Sequence, residues 1–185
     1  MNLVMIGLEI HAQITALKSK LFCSCYCNYR DLRPNTNICE ICSGLPGTLP
    51  LINKKAIEYA TMTSVALGCK VPDKIMFYRK NYFYPDLPKN FQITQYNVYG
   101  LSSIGADGLF ELDDSKKIRI TRVQLEEDPG RIVYSDEGMN VRNSALVDYN
   151  RAGAALIEIV TEPDFNDPKE VRLFLNKLTL TLEHI

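Results

Sequence analysis

The stretch VMIGLEIHAQI, residues 4–14, sets a carboxylate and one of the chain's two histidines at alternate positions of an otherwise apolar run. Successive strand side chains point to opposite faces. Ile6, Leu8, Ile10 and Ile14 therefore fall on one side, and Glu9, His11 and Gln13 on the other. The pattern predicts a strand with one face made to pack and one polar face. By spacing alone, a solvated polar face is the simpler reading of Glu9 and His11.

Two more strands are predicted. IRITRVQL, residues 118–125, is rich in β-branched residues and runs into Glu126, Glu127 and Asp128 before Pro129 and Gly130, so the acids gather at a strand end. AALIEIVT, residues 154–161, follows the polar turn VDYNRAG. Asn53 is placed to cap a helix over about 54–67 that Gly68 stops. Asp167 and Pro168 open a second helix, with Val171, Phe174, Leu175, Leu178 and Leu182 on one face. Helices and strands intermix without clean βαβ units, which predicts an α+β fold with a mainly antiparallel sheet. The second helix is still in phase at Leu182, so the chain is expected to be part of a longer polypeptide.

At 185 residues with 46% hydrophobic content, the chain can bury a core. Its 21 basic against 22 acidic residues give a net charge of -1, which supplies no global attraction to nucleic acid and leaves only local contacts. No window reaches the roughly 20 apolar residues of a membrane helix. The N-terminus also lacks a basic segment followed by an apolar core. A cytoplasmic protein without a membrane partner is the expectation.

Five of the six cysteines, at 23, 25, 27, 39 and 42, fall within twenty residues, inside a loop-rich segment over about 18–50. Such clustering suits metal ligation better than a disulfide framework. Cys39-Glu-Ile-Cys42 has the spacing of a zinc knuckle. The CSCYC run offers three ways to choose two further ligands from Cys23, Cys25 and Cys27. Structural zinc would order a loop that has little core of its own; reduced thiols in a loose loop are the alternative. Cys69 stands apart and is read as a buried thiol. The run RKNYFYP, residues 79–85, within a tyrosine-rich block over 77–100, pairs cations with aromatics, as a base-stacking or phosphate-holding surface does and as a loop packed over a sheet edge also does. Neither a P-loop nor a G-x-S-x-G elbow is present.

Taken in order, IGLEIHAQ, KSKLFCSC, PNTNICEICSGLPGTLP, NKKAIEYA, RKNYFYPDLPK, ITRVQLEEDPG, SALVDYNRAG and LIEIVTEPDF resemble the B subunits of the glutamyl/aspartyl-tRNA amidotransferases, from about residue 5 to the end. The archaeal E subunit shares that catalytic core. The resemblance implies a cradle domain similar to glutamine synthetase and guanido kinases, of which residues 1–185 would form the N-terminal portion. It implies that ATP and magnesium phosphorylate the side-chain carboxylate of glutamate or aspartate misacylated on tRNA. Ammonia from the partner A subunit then displaces the phosphate, and a small C subunit holds the assembly together. By position, Glu9, His11 and Glu127 match the family's magnesium-site residues, with Glu126 beside them. Arg79, Lys80, Tyr82 and Tyr84 fall in its reaction-site motif, and Lys89 lies where ammonia would arrive. Asp148, Asn150, Arg151 and Glu158 are candidates for nucleotide or substrate contacts. Cys23, Cys25, Cys39 and Cys42 correspond to its zinc-bearing form. The chain alone is expected to bind zinc without amidating tRNA. The competing readings are a zinc-stabilised RNA-binding module and a non-catalytic assembly module.

Overall fold

A computed structural model of the chain describes residues 4–96, 102–134 and 145–185. Residues 97–100 of the tyrosine-rich block and Ser144 of the SALVDYNRAG motif lie outside the described residues. The fold is α+β, with antiparallel pairing in every sheet. A four-stranded sheet has the order β1–β8–β5–β4, in which β1 is Glu9–Gln13, β4 Gly105–Glu111, β5 Lys117–Glu127 and β8 Ala155–Thr161. Two ribbons accompany it, β2 (Tyr78–Asn81) with β3 (Phe91–Thr94), and β6 (Arg131–Tyr134) with β7 (Ala145–Asp148).

The sheet is two-sided because β5 and β8 alternate in register. Val123 pairs with Ile159 and Leu125 with Ile157, and these buried residues form the apolar face. Helices α1 (Lys54–Ala66) and α2 (Pro168–His184) join the same core through Ala56, Ala60, Phe174 and Leu178. Phe174 meets Phe165 and Phe110 edge-on, with ring centroids 5.3 and 5.2 Å apart. The end of α1 lies against β4, and glycines make this possible. A Cβ on Gly108 would stand 2.5 Å from Cys69 Sγ and 2.8 Å from the Leu67 carbonyl oxygen, so a side chain there would push helix and strand apart.

Both helix starts follow the sequence. The Asn53 side chain accepts the Lys55 N–H at 2.9 Å, and Asp167 with Glu170 forms a capping box with Pro168 in the first turn. Strand limits shift more. The opening run pairs with β8 only over Glu9–Gln13, with Ile6 making an isolated bridge to Phe165. β5 continues through Glu126 and Glu127, which pair with Leu156 and Ala155, so cross-strand pairing overrides glutamate's poor strand propensity. The tyrosine-rich block contains the β2–β3 hairpin, whose four-residue strands are too short and polar to show periodicity. Cys69 is half-buried rather than fully enclosed, and burial pushes its thiol up to about 11. Among the described residues, no helix is long and apolar enough to cross a membrane.

Candidate functional site

Three adjacent strands deliver the site. His11 pairs with Glu158, and Glu158 pairs with Gln124 on its other side. Directly opposed residues share a face, so this face carries Glu9 and His11 from β1, Glu158 from β8, and Arg122, Gln124 and Glu126 from β5. His11 Nε2 lies 3.5 Å from Glu126 Oε1, 3.5 Å from Glu158 Oε2 and 3.8 Å from Glu9 Oε1. One ligand atom each from Glu9, His11 and Glu158 falls within 4.8 Å of the others. Three carboxylates around one imidazole form a donor set that a hard divalent cation can use, with water and phosphate filling the remaining positions.

The surroundings act on the charge of the cluster in opposing ways. Glu126 is buried, and that burial raises its carboxyl above the usual range, with the neighbouring Glu158 charge adding to the effect. The Thr94 hydroxyl donates to Glu126 Oε2 at 3.0 Å and opposes the shift, fixing one oxygen while the other faces His11. Arg122 donates to Glu158 at 3.2 Å and Gln124 at 3.3 Å. A cavity of about 490 Å³ opens over this face, with Glu9, Glu126 and Glu158 lining it alongside Arg79, Lys80 and Arg122. The β2–β3 hairpin forms its wall, tied to the sheet by side-chain amides. Gln95 Oε1 accepts the Ile104 and Leu125 N–H groups at 3.1 and 3.0 Å, and Gln124 Nε2 donates to the Gln95 carbonyl at 2.9 Å.

Glu127 is not brought to His11. Alternation turns it away from Glu126. Its Oε2 accepts Lys89 Nζ at 2.6 Å and its Oε1 accepts the Ile93 N–H at 2.8 Å, both deep in the protein. Burial pushes its carboxyl upward, and the Lys89 charge counters that push. This pair lines a second cavity of about 250 Å³, shared with Cys23, Cys42 and Arg79. Arg79 therefore lines both cavities, its guanidinium stacked 4.9 Å from the centroid of the Phe91 ring. Lys80 Nζ lies 5.8 Å from the Tyr82 ring, and both Tyr82 and Tyr84 are exposed. Burial raises the Tyr82 phenol, as do the charges of Asp86, Glu126 and Glu127.

Asn150 and Arg151 hold structure together. The fully buried Asn150 side chain accepts the Asn37 N–H at 2.8 Å and donates to the Arg33 carbonyl at 2.6 Å. Asp148 supports the same loop by accepting the Asn35 N–H at 3.0 Å. Arg151 donates to the Pro129 and Gly130 carbonyls at 3.0 and 2.7 Å. Spacing marks Glu158 only as a polar residue in an apolar strand; its partnership with His11 becomes visible once the register is known.

The cysteine loop settles which thiols cluster. Cys23, Cys25, Cys39 and Cys42 bring their sulfurs within 4.8 Å of one another. Cys42 Sγ stands 3.9 Å from that of Cys25 and 3.8 Å from that of Cys39. A tetrahedron with Zn–S bonds of about 2.3 Å has edges of about 3.8 Å, whereas a disulfide needs about 2.05 Å. The Cys39 N–H points at Cys42 Sγ from 3.2 Å. A hydrogen bond from Cys23 lowers the Cys42 thiol to about 4, while burial and the neighbouring sulfurs raise Cys25 to about 12. Cys27 turns inward, buried, toward the Ile14 carbonyl at 3.7 Å. The donor set fits zinc.

Comparison with known proteins agrees with the motifs. The aspartyl/glutamyl-tRNA(Asn/Gln) amidotransferase B subunit of Saccharolobus solfataricus is 50% identical over 183 residues, covering 99% of this chain and 39% of the relative. That of Methanoregula boonei is 54% identical over 186 residues, covering 98% and 37%. The chain thus spans less than half the length of the curated relatives it matches. Residues 4–185 match the profile of the GatB/GatE catalytic domain, and the chain belongs to that family.

Proposed function

We propose that residues 1–185 form the N-terminal portion of the catalytic domain of a tRNA-dependent amidotransferase B subunit. The protein acts with A and C subunits on misacylated tRNA in the cytoplasm. The reaction is ATP-dependent phosphorylation of the glutamate or aspartate side chain, followed by displacement of phosphate by ammonia. The observation that supports this reading best is the convergence of His11 with Glu9, Glu126 and Glu158 on an open sheet face, across a cavity from Arg79 and Lys80.

Glu9, His11 and Glu158, with Glu126 adjoining, would hold Mg²⁺, which offsets phosphate charge in phosphoryl transfer. Arg79 and Lys80, which line the opposite wall, would offset the charge of phosphate oxygens, and Tyr82 and Tyr84 would offer flat surfaces at the rim. Thr94 and Arg122 orient Glu126 and Glu158 so that their free oxygens face inward. Lys89 and Glu127 form a separate polar station in the second cavity, suited to the neutral nucleophile. Cys23, Cys25, Cys39 and Cys42 hold a structural Zn²⁺ whose four filled positions leave none for catalysis. Asn150 and Arg151 position the loop and the β5–β6 turn.

The test is ATP hydrolysis dependent on Glu-tRNA in the full-length complex. His11→Ala and Glu158→Gln should each lower it by about 100-fold or more, and should weaken Mn²⁺ binding measured directly on the protein. Unchanged turnover and unchanged Mn²⁺ binding in both variants would sink the assignment.

A further inference from the structure

Lys20 is a buried cation that the proposed chemistry leaves unused. Its side chain is 0% exposed. Nζ donates to the Asn37 carbonyl at 2.9 Å and lies 3.6 Å from Cys42 Sγ. Among the described residues, no carboxylate comes within 4.0 Å of it. Its place is fixed from both sides of the backbone. The Lys20 N–H donates to the Cys25 carbonyl at 2.9 Å, and the next N–H, that of Leu21, donates to the Gly153 carbonyl at 2.9 Å. An ammonium taken out of water without a counter-charge costs several kcal/mol, and one carbonyl does not offset that.

The nearest opposite charge available to Lys20 is sulfur. Four thiolates around a divalent ion sum to a net charge of about -2, since four negative charges meet two positive ones. We infer that Lys20 is the counter-charge of the four-sulfur centre, a positioning residue outside the coordination sphere whose ammonium offsets part of the negative charge of the zinc-loaded state and so tightens zinc binding. This rests on the zinc reading of the cysteine cluster. The arrangement is one-sided: Lys20 and the sulfur it approaches, that of Cys42, are buried, while Cys23, Cys25 and Cys39 are only partly buried.

The experiment measures zinc dissociation constants on the full chain under reducing conditions, by competition with a chromophoric chelator. Lys20→Met removes the charge at similar length, and Lys20→Gln keeps a donor for the Asn37 carbonyl. Both should bind zinc about 10- to 100-fold more weakly, while thermal melting of the metal-free variants shows no loss relative to the metal-free parent. Unchanged zinc affinity in both overturns the inference. Equal destabilisation of loaded and metal-free forms also overturns it, because that is the mark of packing alone, and failure to fold at saturating zinc counts with this outcome. If instead the parent chain binds no zinc and gives no thiolate-to-metal absorption with Co²⁺, the zinc reading itself fails, visibly and separately.

Discussion

Glu126 and Glu127 are neighbours on β5, both buried, and both have carboxyls raised by that burial. Strand alternation sends them into different cavities with different company. Glu127 meets a full complement: a lysine at 2.6 Å and a backbone N–H at 2.8 Å. Glu126 meets one hydroxyl, an imidazole and a second carboxylate. The first arrangement is a closed ion pair; the second is short of positive charge and suits a ligand that brings some. Solvent exposure alone does not separate the two, since both are nearly inaccessible. The balance of partners does.

The comparison breaks most sharply at Lys89. Lys89→Met strands Glu127 as a buried, unpaired charge and should cost about 3–5 kcal/mol in chemical denaturation. Adding Glu127→Gln should recover most of that loss. Absence of recovery would show that the two side chains do not act as a pair. A smaller effect is expected on the other cavity. Thr94→Val removes the hydrogen bond to Glu126 without changing shape and should cost about 1–3 kcal/mol, with Thr94→Ser restoring it; a Ser variant as poor as Val would assign the loss to packing.

Glu126→Gln tests the sign of the imbalance. A carboxyl raised in the folded state favours folding below its unfolded value, and that contribution is lost as pH rises through the folded value. Without divalent cation, Glu126→Gln should therefore gain stability over the parent at neutral pH, and the gain should vanish in the acid range. Thermal melts of both proteins from pH 4 to pH 8 would read the difference; a gain that grows toward acid contradicts the assignment. The smallest effect lies far from either cavity. Asp167→Ala removes the α2 cap and should cost about 1 kcal/mol without altering cation binding.

What could be read from sequence follows range of interaction. Helix starts at Asn53 and Asp167 were legible because capping is local, decided within three residues. The polar face of β1 was legible because alternation is local as well. The choice among Cys23, Cys25 and Cys27 was not open to spacing, since it depends on which sulfur faces the core, and Cys27 faces Ile14. The partnering of His11 with Glu126 and Glu158 depends on register across three strands, set by pairing of His11 with Glu158, more than a hundred positions away, and of β5 with β8 across the intervening β6–β7 segment. The backbone partners of Asn150 and Arg151, polar residues in a turn, lie outside that turn and are likewise hidden from spacing. Lys20 sits in KSK, a string that looks like surface, and only burial identifies it.

The grip of Asn150 on the cysteine loop spans 113 residues, from Asn37 to Asn150. A ribosome adding about 5–20 residues per second needs roughly 6–23 s to cover that distance. For nearly all of that interval the four thiols have been made while the strand that pairs with β1 and the side chain that clamps the loop have not. The nascent chain must therefore pass through a period in which its cysteines are open to oxidants and to competing metals, and early metal capture would be the event that guards them until residue 150 arrives.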